Sequence, residues 1–358
     1  MRTTDMMSTG NLVTPEDRPT SRSARLGGRV AVSGLLSLAV GSMVLAVPPL
    51  RTVAQRIAHM RVEWIAAAIA LELASCLAFV VIFRLYFDEL PATPARELAW
   101  TEQGSGALLP GGGVGALAIG GWLLRRSGMS TQSIVDRSSA LFFLTSAVNV
   151  AALVGASVWF ALTAHSAYEL LRVGLPILGG LAAALAVLAI PVVIRRSRGR
   201  AWPGWLVDLA AGITRAQRTL RRPSWRLLGA AGYLAFDIAA LAATFAAAGR
   251  PIAAAPLILG YMIGYLANLI PIPGGFGVLE GGLAATLIAY GAPATQAAAA
   301  VIVYHAIAFW IPSLGGLLGY ARLRRRLGRE DDAPTRRTAR APALVLVPEA
   351  SGSPCRAG

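Results

Sequence analysis

The chain has 358 residues, of which 55% are hydrophobic and only 14% charged, with a mean hydropathy of +0.59. Soluble domains carry about 25% charged residues, so this composition excludes a soluble globule of this size. All 33 basic residues are arginine, which excludes Walker phosphate loops, Schiff-base lysines and kinase-type ATP sites, and two cysteines exclude a disulfide scaffold.

The excess positive charge is confined to three segments. Residues 1–29 contribute +2, residues 195–226 contribute +8 and residues 321–358 contribute +5, which together account for the whole formal charge of +15. By the positive-inside rule, these segments and both termini are predicted to be cytoplasmic. They would also attract anionic lipid. Nucleic-acid binding is the weaker interpretation of the high isoelectric point, and we expect no nucleic-acid partner.

Apolar segments long enough to cross a bilayer, about 20 residues each, follow one another along the chain. They cover residues 30–50, 62–87, 103–124, 138–164, 173–194 and 225–248, and a long stretch from 251 to 321 in which Glu280 is the only formal charge. No strand-like alternation occurs, so the predicted fold class is an all-α polytopic membrane protein. Residues 29–322 would form the membrane domain, between disordered cytoplasmic tails at 1–28 and 323–358.

Two parts of the chain resemble each other at a constant spacing. Pro110 and Pro273 are 163 residues apart, as are Gly128 and Gly291, and Glu72 and Asp237 are 165 apart. With the basic segments inside, the first half (about 29–164) and the second half (about 171–320) run in opposite directions. Each would contain three spans and one Pro/Gly-broken helical hairpin, and the basic loop 195–225 would be cytoplasmic. Inverted repeats with broken helices are typical of secondary transporters.

One observation opposes this orientation. Arg51, Arg56 and Arg61 fall in the loop predicted to be external. We expect them on an amphipathic helix at the membrane surface.

The densest motif occupies residues 266–280. Its two prolines end a helix and remove backbone donors, and its glycines permit close backbone approach. A new helix is predicted to start after them, with Glu280 near its first turn. The free amides at such a helix start attract anions.

This motif resembles the transmembrane region of the lysylphosphatidylglycerol synthase family, whose members have a flippase-like domain. The second-half residues that carry the resemblance are Asn268, Pro271, Pro273, Gly274, Gly275, Gly277, Glu280 and Gly291, followed by Tyr304, Pro312 and Gly316. His305 stands where the family has arginine. The first-half counterparts are Leu109, Pro110, Gly111, Gly112 and the pair Asp136 and Arg137, but the family's first-half asparagine and later arginine have no clear match here.

The resemblance implies a protein of the bacterial cytoplasmic membrane that moves a phospholipid or a lipid-linked headgroup between leaflets. It also implies that the soluble aminoacyl-transfer domain of some relatives is absent, so we expect no enzyme activity and no cofactor. Two alternatives stay open: a membrane scaffold that partners a separate lipid synthase or glycosyltransferase, and an intramembrane enzyme.

The candidate substrate-binding residues are the motif positions together with the few charged or polar groups inside the apolar spans. Glu280 is interpreted as a proton or headgroup site, or as an acid that bonds to backbone amides. Glu72 and Asp237 are interpreted as functional acids or as packing contacts between helices. Arg137 would bind lipid phosphate or extend to the interface, and Tyr304 and His305 would line the site. His59 and His165 lack metal-ligand spacing, so no metal site is expected.

Overall fold

A computed structural model describes residues 48–109, 113–163, 167–197, 201–222, 224–265 and 278–338. Within these ranges the chain is helical, with no strand, which confirms the all-α prediction. The eleven α-helices are α1 (Pro48–Ala58), α2 (Val62–Tyr86), α3 (Ala92–Leu108), α4 (Gly113–Arg126), α5 (Thr131–Thr163), α6 (Ala167–Arg196), α7 (Gly204–Arg221), α8 (Leu228–Ala248), α9 (Ala254–Gly264), α10 (Val278–Ala289) and α11 (Ala294–Thr338).

Within the described ranges, five helical segments are long and apolar enough to cross a membrane. They are Val62–Tyr86, Thr131–Thr163, Leu178–Arg196, Trp225–Ala248 and Ala294–Arg326. Each coincides with a span predicted from the sequence, so the described chain is that of a multi-pass membrane protein. Nearly all of the predicted first span, 30–50, lies outside the described residues.

The chain divides into two compact units, Met1–Gln55 and Arg56–Gly358. Of the first unit only Pro48–Gln55 is described, as the first turns of α1. In the second unit, Arg56 donates from Nη1 to the Ala248 carbonyl at 2.9 Å, and Arg61 donates from Nη2 to the Ala246 carbonyl at 2.9 Å. Both arginines therefore satisfy the last carbonyls of α8, where a positive charge also favours the helix dipole.

Each apolar segment that carries a Pro/Gly motif forms two shorter helices. The predicted 103–124 segment falls on α3 and α4, and the 251–291 segment contains α9 and α10. Gly128 follows α4 with φ of +90° and Gly291 follows α10 with φ of +97°, a conformation that favours glycine. The next residue in each case donates its amide to the carbonyl five residues back, which is the Schellman motif of helix ends.

The packing core of the second unit is the antiparallel pair α2 and α8. The amide of Arg61 at the start of α2 bonds to the Ala247 carbonyl at the end of α8, and Arg226 just before α8 bonds to the Arg84 carbonyl near the end of α2. Helix α3 packs on α11, where a Cβ on Gly316 would lie 2.6 Å from the Cα of Gly104. Glycine at both positions lets the backbones of α3 and α11 approach closely, which brings the two helices into direct contact.

Helix α11 is longer than the sequence predicted. It continues beyond the predicted last span to Thr338, into the segment that the sequence predicts as the C-terminal tail. Arginine, leucine and glutamate in this segment are strong helix formers, so the apolar span extends into a polar helix.

Candidate functional site

Helices α2 and α8 bring two acidic residues from distant parts of the chain to the same depth. Glu72 lies near the middle of α2 and Asp237 near the middle of α8. The hydroxyl of Ser75 donates to the Tyr233 carbonyl at 2.9 Å, which fixes the register between the two helices at this level. The Glu72 and Asp237 carboxyl groups lie close enough to interact electrostatically. The two acids that occupy matching positions in the two halves of the sequence, Glu72 and Asp237, thus lie close together in the structure.

Three tyrosines surround Asp237. Tyr304 on α11 donates its hydroxyl to Oδ1 of Asp237 at 2.7 Å, and Tyr261 on α9 donates to Oδ2. Tyr265, which caps α9, has its hydroxyl 3.2 Å from that of Tyr304. We call Glu72, Asp237, Tyr261, Tyr265 and Tyr304 the acid–tyrosine cluster. Its hydroxyl donors replace the water that a charged carboxylate would otherwise need.

Glu72 is the less satisfied of the two acids. Its side chain is buried, and its Oε1 accepts from the thiol of Cys76 at 3.8 Å, a weak donor. Its Oε2 has no hydrogen-bond partner within the described part of the chain. Two carboxyl groups in one low-dielectric site repel each other when both are charged, so the pair favours a bound cation or a shared proton.

A second polar contact lies beside the cluster. Glu280, in the first turn of α10, has its Oε1 3.3 Å from Nε2 of His305 on α11, and both side chains are largely buried. His305 directly follows Tyr304, so α11 supplies adjacent residues to the acid–tyrosine cluster and to the Glu280–His305 pair. Five residues predicted from the sequence, Glu72, Asp237, Glu280, Tyr304 and His305, are therefore brought to one region between α2, α8, α9, α10 and α11.

The sequence places this arrangement in a family. The family model described as "Lysylphosphatidylglycerol synthase TM region" matches residues 34–316. The chain belongs to this family. No curated protein sequence matches the chain.

The matched range includes every residue of the acid–tyrosine cluster. The match also confirms the resemblance predicted from the 266–280 motif. Among the residues by which the chain was compared with the lysylphosphatidylglycerol synthase transmembrane region, nine lie outside the described structure. They are Pro110, Gly111, Gly112, Asn268, Pro271, Pro273, Gly274, Gly275 and Gly277.

Arg137, predicted to contact lipid phosphate, is not part of this region. Its guanidinium is buried and donates to the Tyr86 carbonyl at 2.8 Å, with Asp88 at 3.5 Å and Glu89 as its acidic partners. These contacts tie the start of α5 to the turn between α2 and α3. The structure thus gives this member of the family a protein-internal ion cluster at that position.

Several buried polar residues were not predicted from the sequence. Tyr261 and Tyr265 are four residues apart on one face of the otherwise apolar α9, a spacing that could have marked them as a pair. Glu102 was also missed because it borders the predicted span at 103, yet it is buried on α3 and faces α4 at Gly120. Within the described residues, no three His, Cys, Asp or Glu side chains are grouped as a metal site would require.

Proposed function

We propose that this protein moves a phospholipid or lipid-linked headgroup across the membrane, and that the headgroup passes the acid–tyrosine cluster and the Glu280–His305 pair. The observation that carries the proposal is the meeting of two acids, Glu72 and Asp237, at mid-span on helices from the two halves of the chain. Ionisable groups inside a membrane are costly, and they are retained where a substrate or proton pathway needs them. Membership of the lysylphosphatidylglycerol synthase transmembrane family supports a lipid as the substrate.

The charge of the region favours a headgroup that carries an amine. Glu72, Asp237 and Glu280 are acidic, and the side-chain hydrogen bonds described for Glu72 and Asp237 come from a thiol and from tyrosine hydroxyls, which carry no positive charge. Where the family resemblance leads one to expect arginine, His305 stands beside Glu280. An ammonium group could donate three hydrogen bonds to these carboxylates and would offset their charge.

The proposed transport path rests on two halves that are inverted copies, in a bacterial cytoplasmic membrane with both termini inside. Three features support the inversion. Both broken hairpins end in a Schellman glycine, Gly128 and Gly291; α3 of the first hairpin packs on the last helix, α11; and α9 of the second hairpin packs on α5. Accessibility labelling at residues 127–133 and 291–294 tests it: we expect the two loops on opposite sides, and labelling of both from one side would overturn the inversion.

Transport is tested with the purified protein in vesicles that contain a trace of acyl-chain-labelled lipid. A membrane-impermeant reductant bleaches the outer-leaflet label, so lipid movement appears as loss of the protected signal. We expect phosphatidylethanolamine, which has a free amine, to move faster than phosphatidylglycerol, which has none. Equal rates would retain transport and exclude amine selection. Movement of neither lipid would favour the scaffold alternative.

Matched variants connect the rate to the site. Asp237→Asn and Glu280→Gln each remove one negative charge, and we expect each to slow transfer about tenfold. The control is Glu63→Gln, which removes a carboxylate from the exposed start of α2, where Glu63 faces Arg61. A control rate that falls as far as the site variants would indicate a general effect of charge and would contradict the proposed site.

A further inference from the structure

A cavity of about 610 Å³ lies where α5, α6 and α7 meet. Its lining includes Asp136 from α5, Arg195 near the end of α6, and Arg215 and Arg218 from α7. None of the residues that line it belongs to the acid–tyrosine cluster or to the Glu280–His305 pair. We call this space the arginine cavity.

The arginine cavity carries a net positive charge. Three guanidinium groups face it with one carboxylate, and Asp136 is paired with Arg215 at 4.0 Å. The ion pairs found in the described part of the chain leave Arg195 and Arg218 without a carboxylate. Positive groups gathered around one space repel one another, and an anion between them removes that cost. A phosphate matches the planar donor pattern of arginine especially well.

The remaining wall of the arginine cavity is apolar except for Thr214, whose hydroxyl donates to the Ala210 carbonyl of its own helix. Pro191 and Ile194 contribute from α6, and Val207, Ala210 and Ala211 contribute from α7. Helix α6 is a membrane span that ends at Arg196, so this apolar wall adjoins the membrane boundary. The side chain of Trp205 on α7 is 68% exposed, as expected for a helix whose outer face contacts lipid. A soluble anion gains nothing from contact with an apolar wall. A phospholipid can gain from it, because its acyl chains are joined to the phosphate through the glycerol and lie close to it.

The arginine cavity is built by a rigid contact between α5 and α7. Gly212 packs directly against Ser139, and a side chain at that glycine would collide with it. Ile213 is buried at the same contact, and Gln132 donates to Asp208 at 2.9 Å on its outer side. The backbone of α7 that carries Arg215 and Arg218 is therefore held in place before any ligand arrives, which lowers the entropic cost of binding.

We propose that the arginine cavity binds the phosphate of an anionic phospholipid in the leaflet on the side of the basic segment 195–226. Arg195 and Arg218 are its phosphate ligands, and Arg215 is held beside them by its contact with Asp136. The glycerol and the first acyl carbons lie against Pro191, Ile194 and Val207. Basic pockets between membrane helices recognise anionic headgroups in this way. This site is separate from the proposed transport path and does not depend on transport.

Native mass spectrometry of the full chain in a neutral detergent tests the proposal by counting bound lipids. We expect phosphatidylglycerol to give one saturable adduct, and phosphatidylcholine and inorganic phosphate to bind at least about tenfold more weakly. Inorganic phosphate bound as tightly as the lipid would overturn the lipid assignment, since the apolar wall would then contribute nothing. Phosphatidylcholine bound equally well would overturn the role of net charge.

Two double variants with the same loss of charge locate the site. We expect R195Q/R218Q to weaken phosphatidylglycerol binding about tenfold. The control R196Q/R221Q removes arginines from the last turns of the same two helices but outside the cavity lining, and it should bind normally. Equal weakening in both would show general surface attraction and overturn the proposal.

A cavity-filling variant covers the case in which R195Q/R218Q fails to fold, as judged by size-exclusion chromatography. Ala211→Leu keeps every charge and occupies the apolar side of the cavity. We expect it to weaken binding as well. Unchanged binding in Ala211→Leu would place the lipid elsewhere on the surface and overturn the cavity as its site.

Discussion

Helices α8 and α6 are both apolar membrane spans, but they are covered in different ways. In the most apolar 18 residues of the span Trp225–Ala248, 44% of the residues are buried by protein. The corresponding fraction in the span Leu178–Arg196 is 11%. Helix α8 packs on α2 and α11, whereas α6 contacts only α5 and α7 to any extent within the described chain. Within the described chain most of the α6 surface is therefore not covered by protein, and we expect lipid to cover it.

The polar residues follow this difference. The covered helix α8 carries Asp237, whose partners are tyrosine hydroxyls supplied by the protein. The lipid-facing helix α6 is uncharged through its apolar part and ends at Arg195 and Arg196, beside the arginine cavity. The protein thus supplies partners for Asp237 in the centre, whereas at the edge Arg195 and Arg218 are the proposed ligands of an external anion. Four pairs of substitutions test how far this contrast extends.

The largest effect is expected at the close contact between α3 and α11. Gly316→Ala places a methyl group 2.6 Å from Gly104 Cα and 2.8 Å from the Trp100 carbonyl, so two backbones must separate. We expect a loss of about 3 kcal/mol in the free energy of unfolding, measured by titration with a denaturing detergent. Gly155→Ala, at a lipid-facing glycine with no atom within 4 Å, should instead be stabilising by up to about 1 kcal/mol. Equal effects would mean that α3 and α11 are not in this contact.

A leucine pair compares the covered and exposed spans directly. Leu241 on α8 is fully buried, and Leu185 on α6 is 68% exposed. Leu241→Ala should cost about 2 kcal/mol because it leaves a void, at the low end for soluble cores since lipid is itself apolar. Leu185→Ala should change the unfolding free energy by less than about 0.5 kcal/mol. The same titration measures both, and a large loss for Leu185→Ala would show that protein covers α6.

Within the covered region, removal of one hydroxyl should have a smaller effect. Tyr304→Phe removes one tyrosine donor to Asp237 and leaves the hydroxyl of Tyr261 bonded to that carboxylate. We expect a loss of about 1.5 kcal/mol, the range for a hydrogen bond to a charged group. Tyr320→Phe on the same helix, where the ring packs in an apolar cluster, is the control and should cost less than about 0.5 kcal/mol. Similar losses of unfolding free energy in Tyr304→Phe and Tyr320→Phe would contradict a stabilising hydrogen bond between Tyr304 and Asp237.

The smallest effect is expected at the end of α8. Arg61→Gln removes the charged donor to the Ala246 carbonyl and should cost about 1 kcal/mol. Arg51→Gln changes an exposed arginine and should be neutral. Thermal unfolding in detergent compares the two proteins. If Arg61→Gln unfolds at the same temperature as the unchanged protein, the bond from Arg61 to the end of α8 does not stabilise the fold. That result would contradict the structural role given to this arginine in a segment predicted to be external.

The sequence predicted the spans well because hydropathy and charge determine where a chain can cross a membrane. It also identified Glu72, Asp237 and Glu280, since acids are rare in such spans. It did not predict that tyrosines would complete the cluster, because which faces of α9 and α11 meet depends on packing between helices distant in sequence. For the same reason, the sequence predicted a lipid phosphate or the interface for Arg137 and did not predict its ion pairs with Asp88 and Glu89 from a neighbouring turn.

Tyr304 and His305 are consecutive on α11, one bonded to Asp237 and the other beside Glu280. Adjacent residues on an α-helix share one rigid backbone, although their side chains point about 100° apart. A rotation or shift of α11 therefore displaces Tyr304 and His305 at the same time. Helix α11 is thus a direct physical connection between the Asp237 contact and the Glu280 contact.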